Sequence, residues 1–76
     1  MSNPTIAFIG AGNMAAALIG GLVADGTDPR NIIASDPDES KRETLASASG
    51  IRTTPDNMQA VSEADVVVLA VNPEVL

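Results

Sequence analysis

The stretch "FIGAGNMAAALIGGL", Phe8 to Leu22, carries four of the chain's six glycines. Upstream of the first glycine, "TIAFI" from Thr5 to Ile9 is a short apolar run bounded by Pro4 and Gly10, which reads as a buried strand. Downstream, the period changes. Met14, Leu18 and Leu22 recur every fourth residue with Ile19 and Val23 beside them, and Gly26 follows as a C-terminal stop, so the spacing predicts a helix from about Asn13 to Asp25. The stretch is therefore a strand, a glycine turn and a helix. Gly20 and Gly21 weaken that helix by roughly 1 kcal/mol each relative to Ala. They suggest either close packing of that helix face on a sheet or tolerated drift.

Working outward, the same alternation continues. "TDPRN", Thr27 to Asn31, is a turn, and "IIAS", Ile32 to Ser35, a second strand. In "DPDE" the pattern predicts Asp36 as helix cap, Pro37 in the first helical position and Glu39 closing a capping box, with the helix running to about Ser49 before Gly50. "IRTT", Ile51 to Thr54, is a third strand, and "TPDNMQAVSEA" repeats the cap-then-Pro pattern in a short helix ending near Ser62. Val66 to Val71 is apolar and rich in β-branched residues, as in a central parallel strand covered on both faces, although no helix follows in these 76 residues to cover its other face. Strands alternating with helices imply right-handed crossovers and one parallel sheet. The expected fold class is α/β, a Rossmann-type parallel sheet with flanking helices, here cut after its fourth strand. On that reading residues 1–76 are the N-terminal part of a dinucleotide-binding domain.

Composition agrees and excludes other classes. Seventy-six residues suffice for one small domain, and chains of this size bury only ~60% of their unfolded surface. Phe8 is the sole aromatic residue, so the core must be built from Ala, Val, Ile and Leu. There is no Cys and no His, which removes disulfides, thiolate zinc sites and the commonest general base; no metal site is expected. The net charge is −6 and the four basic residues, Arg30, Lys41, Arg42 and Arg52, are scattered, which argues against a nucleic-acid or anionic-membrane partner. The N-terminus has no basic region ahead of a long apolar run. The sequence reads as a soluble, cytoplasmic protein in which an anionic ligand would be met by backbone donors.

Gly10, Gly12 and Ala15 form G-x-G-x-x-A between the first strand and its helix, the context that a dinucleotide fingerprint requires. Gly10 permits the tight turn, Gly12 lets a pyrophosphate reach the backbone, and Ala15 lets the helix lie close to the strand. The diphosphate would rest on free N–H groups at the helix N-terminus. The alternative is that the glycines merely make a tight connection. Asp36, at the end of the second strand, stands where a carboxylate accepts hydrogen bonds from the adenosine ribose and rejects a 2′-phosphate, or where it caps the next helix. Lys41 and Arg42 either receive such a phosphate, with Ser35, or form a solvated helix face. A fourth strand beside the first brings "AVNP", Ala70, Val71, Asn72 and Pro73, opposite the glycine loop, as a chain-breaking turn or as the nicotinamide side of the site. Asn57 caps the third helix or reaches the adenosine side.

Together, "IAFIGAGNMAAALIGGL", "ASDP", "TPDN" and "ADVVVLAVNP" resemble, in order and spacing, the N-terminal cofactor domain of the pyrroline-5-carboxylate reductases. The resemblance covers nearly the whole chain. It implies an NAD(P)H-dependent oxidoreductase acting on a C–N (imine) bond, converting the small-molecule substrate 1-pyrroline-5-carboxylate to L-proline in the last biosynthetic step. NADPH (NADP) is the implied cofactor, with NAD possible. By the same resemblance, the loop Gly10, Ala11, Gly12, Asn13 and Met14 holds the diphosphate, with Ile9 before it also among the cofactor-binding residues. Ser35 and Asp36 hold the adenosine ribose or its phosphate, Asn57 the adenosine side, and Ala70, Val71, Asn72 and Pro73 the nicotinamide side. No catalytic residue is carried over. The chain departs from the family pattern at Asn72, where A-V-K-P is usual, and at Asp36, where NADPH-preferring members tend to carry Ser. The family's helical domain, which supplies substrate pocket and dimer interface, is missing here, so the 76 residues alone should be inactive and the full-length protein a homo-oligomer. Alternatives sharing this N-terminal fold are a β-hydroxyacid dehydrogenase-like NADP oxidoreductase and a non-enzymatic nucleotide-sensing module.

Overall fold

The structure, a computed structural model, describes residues 3–71. Four strands and three helices alternate: β1 (Ile6–Ile9), α1 (Asn13–Ala24), β2 (Ile32–Ser35), α2 (Glu39–Ser49), β3 (Arg52–Thr54), α3 (Asn57–Glu63) and β4 (Val66–Leu69), with a 3-10 turn at Pro29–Asn31 ahead of β2. All strand pairs are parallel in the order β3-β2-β1-β4, so β4 lies beside β1 on the side away from β2, as the sequence predicts. Phe8 aligns with Ala34 on one side and Val68 on the other; Ile9 aligns with Ser35 and Leu69. The register thus brings the ends of β1, β2 and β4 level, next to the glycine turn.

Because strand side chains alternate between faces, β1 and β2 each serve two layers. Phe8, Ile32 and Ala34 face α1 and α2 and pack with Ala15, Ile19, Leu45 and Ile51, while Ala7 and Ile33 face α3 and meet Ala60. The core is Ala, Ile, Leu and the single Phe; no Val is among its fully buried residues. α1 turns its Ala15 and Ile19 inward, with Leu22 and Val23 packed at the margin, whereas Met14 and Leu18 are about half exposed. The buried stripe is offset by one position from the Met14, Leu18, Leu22 repeat, with Ala15 and Ile19 fully buried, and a small residue at position 15 suits the close approach of helix to strand. α1 ends in a Schellman arrangement. The Gly26 N–H donates to Val23 O at 3.1 Å and the Thr27 N–H to Leu22 O at 3.0 Å, with Gly26 at φ +105°.

Three expectations are corrected. Gly20 and Gly21 do not mark close packing: both are exposed, and a Cβ on either would meet nothing within 4 Å among the described residues. Nothing in the structure explains that pair. α2 is capped by Asp38, not Asp36, and α3 by Asp56, not Thr54 or Asn57. In both "DPD" and "TPD" the residue before Pro is pushed out of the helical region, and its side chain accepts a hydrogen bond from the N–H two residues on: Asp38 N–H to Asp36 Oδ1 at 2.9 Å, Asp56 N–H to Thr54 Oγ1 at 3.1 Å. Each Pro therefore sits in a turn, and the Asp after it caps. As expected of a strand with no helix following it here, β4 stays open: it pairs with β1 through one edge, and Val66, Val67 and Leu69 are 47, 44 and 71% exposed among the described residues. Among the described residues no helix is long and apolar enough to cross a membrane.

Candidate functional site

Gly10 closes β1 at φ +112°, a conformation that L side chains rarely adopt, and a Cβ on it would stand 2.7 Å from the Ala70 carbonyl oxygen. Its N–H donates to Ser35 O at 2.7 Å and the Ala70 N–H donates to Ile9 O at 2.9 Å, so the turn is clamped between the ends of β2 and β4. Gly12 is different. Its backbone is extended, at φ −86° and ψ −158°, a conformation open to any residue, and its missing Cβ would meet no atom within 4 Å among the described residues. Packing among the described residues gives no reason for glycine there. Gly12 is also the N-cap of α1, which has neither a side-chain cap nor an acidic residue in its first turn, whereas α2 and α3 each begin with an Asp accepting from their first N–H groups. The first turn of α1 thus offers unpaired backbone donors at the positive end of a helix dipole.

These donors open into a cavity of about 640 Å³. It is lined by the loop Gly10 to Met14, by Asp36, by Ala70 and Val71 from the end of β4, and by one face of α2. An anion placed against Gly12 would complete the missing cap, and a side chain at Gly12 would occupy its place; the residues present fit a dinucleotide diphosphate. Among the described residues no cluster of three or more His, Cys, Asp or Glu side chains forms.

Asp36 is the hub of the site. Its Oδ2 accepts from the Ala11 N–H at 3.0 Å, its Oδ1 from the Asp38 N–H, and its carbonyl from Arg42 Nη1 at 2.8 Å. The carboxylate therefore joins the glycine loop to the start of α2 instead of capping that helix. Asp38, which does cap, accepts from the Ser40 hydroxyl at 2.8 Å, and this bond, with the Lys41 and Ser40 N–H groups, holds its carboxyl below the ordinary carboxylate value.

The structure brings Gly10, Ala11, Gly12, Asn13, Met14, Asp36, Ala70 and Val71 to one cavity. Ile9, Ser35 and Asn57 stand apart from it. The Ile9 side chain lies on the α3 side of the sheet, with Ala7, Ile33 and Ala60. Ser35 is fully buried and its hydroxyl donates to Asn57 Oδ1 at 2.5 Å, so neither lines the cavity; Ser35 fixes the Asn57 amide from behind. Asn72 and Pro73 lie outside the described residues. Sequence reasoning missed the α2 face formed by Ser40, Thr44, Leu45 and Ala48, although the helical spacing of 40, 44 and 48 with 41 and 45 was readable.

Comparison with known proteins gives a consistent result. Residues 5–76 match the family model described as "NADP oxidoreductase coenzyme F420-dependent". The chain is 54% identical to pyrroline-5-carboxylate reductase of Vibrio alginolyticus over 76 residues, and 53% identical to that of Pseudomonas aeruginosa. Each alignment takes in the whole chain but 28% of the relative. The solved structure of a pyrroline-5-carboxylate reductase from Coxiella burnetii superposes with a TM-score of 0.88 at 43% identity, over 95% of this chain and 27% of that one. This chain therefore spans little more than a quarter of the proteins it resembles, and its sheet matches the Rossmann-like N-terminal domain of such a reductase.

Proposed function

Since the chain belongs to the NADP oxidoreductase coenzyme F420-dependent family, we propose that it is the NAD(P)H-binding portion of a pyrroline-5-carboxylate reductase. The observation that carries this reading is the uncapped α1 N-terminus beneath Gly12, a residue for which packing among the described residues supplies no reason to be glycine. The N–H groups following Gly12 would take the diphosphate, the end of β2 at Asp36 the adenosine ribose, and Ala70 with Val71 the nicotinamide side. When bound, the reduced nicotinamide supplies the hydride that the imine carbon of 1-pyrroline-5-carboxylate receives in becoming proline, with a proton added at nitrogen. The chain's own part is to bind and orient: the Gly10 turn, clamped by Ser35 and Ala70, fixes the diphosphate relative to β4. The substrate pocket belongs to the part of the relatives that this chain does not span. NADPH is the proposed physiological cofactor, and the cytoplasm the proposed compartment.

The test is titration of NADPH into full-length protein and its Gly12→Val variant, beside an assay of proline formation from 1-pyrroline-5-carboxylate. Valine at position 12 should leave the circular dichroism spectrum intact and weaken binding by about a hundredfold or more, several kcal/mol, through a clash and lost charge-assisted backbone bonds. Equal affinity in parent and variant would overturn the fingerprint reading. Tight NADPH binding by a parent that never reduces the imine would favour a nucleotide-sensing module.

A further inference from the structure

The cavity continues past the glycine loop along α2, where Asp36 and Lys41 are the charged side chains that line it. From this we infer that Lys41 sets a preference for a dinucleotide carrying a 2′-phosphate, an inference that rests on the dinucleotide reading above. Two adjacent cations begin α2, and the structure separates their roles. Arg42 is half-buried, lies outside the cavity lining and donates Nη1 to the Asp36 carbonyl at 2.8 Å. Lys41 is exposed, lines the cavity, and forms no ion pair among the described residues, where the paired cations are Arg30 and Arg52.

Ser40 and Asp36, beside Lys41 in the lining, are already engaged. Ser40 donates its hydroxyl to Asp38, and both carboxylate oxygens of Asp36 accept backbone N–H groups, from Ala11 and Asp38. Two N–H donors and the Arg42 guanidinium temper the negative charge that Asp36 would turn toward a phosphate. The place is right as well, since the end of the second strand is where this fold distinguishes a ribose hydroxyl from its phosphate ester. A lysine on a flexible stem beside that point supplies the compensating charge. The residue type at position 36 taken alone argues for NADH; the geometry around it does not.

The experiment measures dissociation constants of NADPH and NADH for full-length parent, Lys41→Gln, Lys41→Arg and Arg30→Gln. Arg30 stands before β2, at the opposite end of the sheet, and its loss changes net charge as the loss of Lys41 does. Lys41→Gln should weaken NADPH binding about tenfold and leave NADH within about twofold, Lys41→Arg should keep the parent's preference, and Arg30→Gln should change neither. Equal weakening of both dinucleotides in Lys41→Gln, or of neither, overturns the role of Lys41 and leaves the dinucleotide reading standing. A parent that binds neither dinucleotide overturns both.

Discussion

Two glycines two positions apart serve opposite needs. Gly10 is fixed by the protein itself, through a positive φ and the Ala70 carbonyl, while Gly12 faces open space. Gly10→Ala should therefore destabilise the fold by about 2 kcal/mol or more, combining backbone strain with displacement of the β4 end. Chemical denaturation checks this, and an unchanged midpoint would show that the β1 turn relaxes freely. Gly12 carries no such intramolecular constraint, which is why its substitution belongs with ligand binding. The motif as letters does not separate the two roles. Their separation depends on which backbone passes overhead.

At the scale of elements, three helices start in two ways. α2 and α3 are capped by the Asp that follows a Pro turn, and α1 is left for an outside partner. The Asp38 carboxyl is held below its ordinary value of 3.8, first by the Ser40 hydroxyl. A depressed carboxylate contributes stability that is fully present above its unfolded value and is lost as pH falls through the folded one. Stability of the parent should thus decline as pH falls below 3.8, and Asp38→Asn should lessen that decline while keeping a capping oxygen. Thermal melts at pH 7 and pH 3 read the difference; identical pH dependence in both proteins would remove Asp38 from the acid response. The turn chemistry here was half legible. Pro and Asp announced helix starts at the right places, but which Asp caps depends on the pre-proline residue adopting an extended conformation and spending its oxygen on the turn.

Over the whole molecule, Asp36 ties together β2, the glycine loop and α2, segments 25 and 2 residues away along the chain. Asp36→Ser shortens that link, so it should cost about 1–2 kcal/mol of stability by leaving the Ala11 N–H without its partner. In the full-length protein it should also raise kcat/KM for NADPH over NADH by roughly tenfold, 1.4 kcal/mol, as a repelling charge is removed. Denaturation and steady-state kinetics read these separately, and a stability loss with an unchanged cofactor ratio would confine Asp36 to structure. Strand and helix order, parallel pairing and the glycine turn followed from sequence alone, because apolar period and Gly or Pro punctuation are local properties of the chain. The inward face of α1, the burial of Ser35 behind Asn57 and the diversion of Asp36 onto Ala11 were decided only by the tertiary structure. Each depends on what a distant segment places against the residue, and that is set by strand register and packing, on which the spacing of residue types along the chain carries no information.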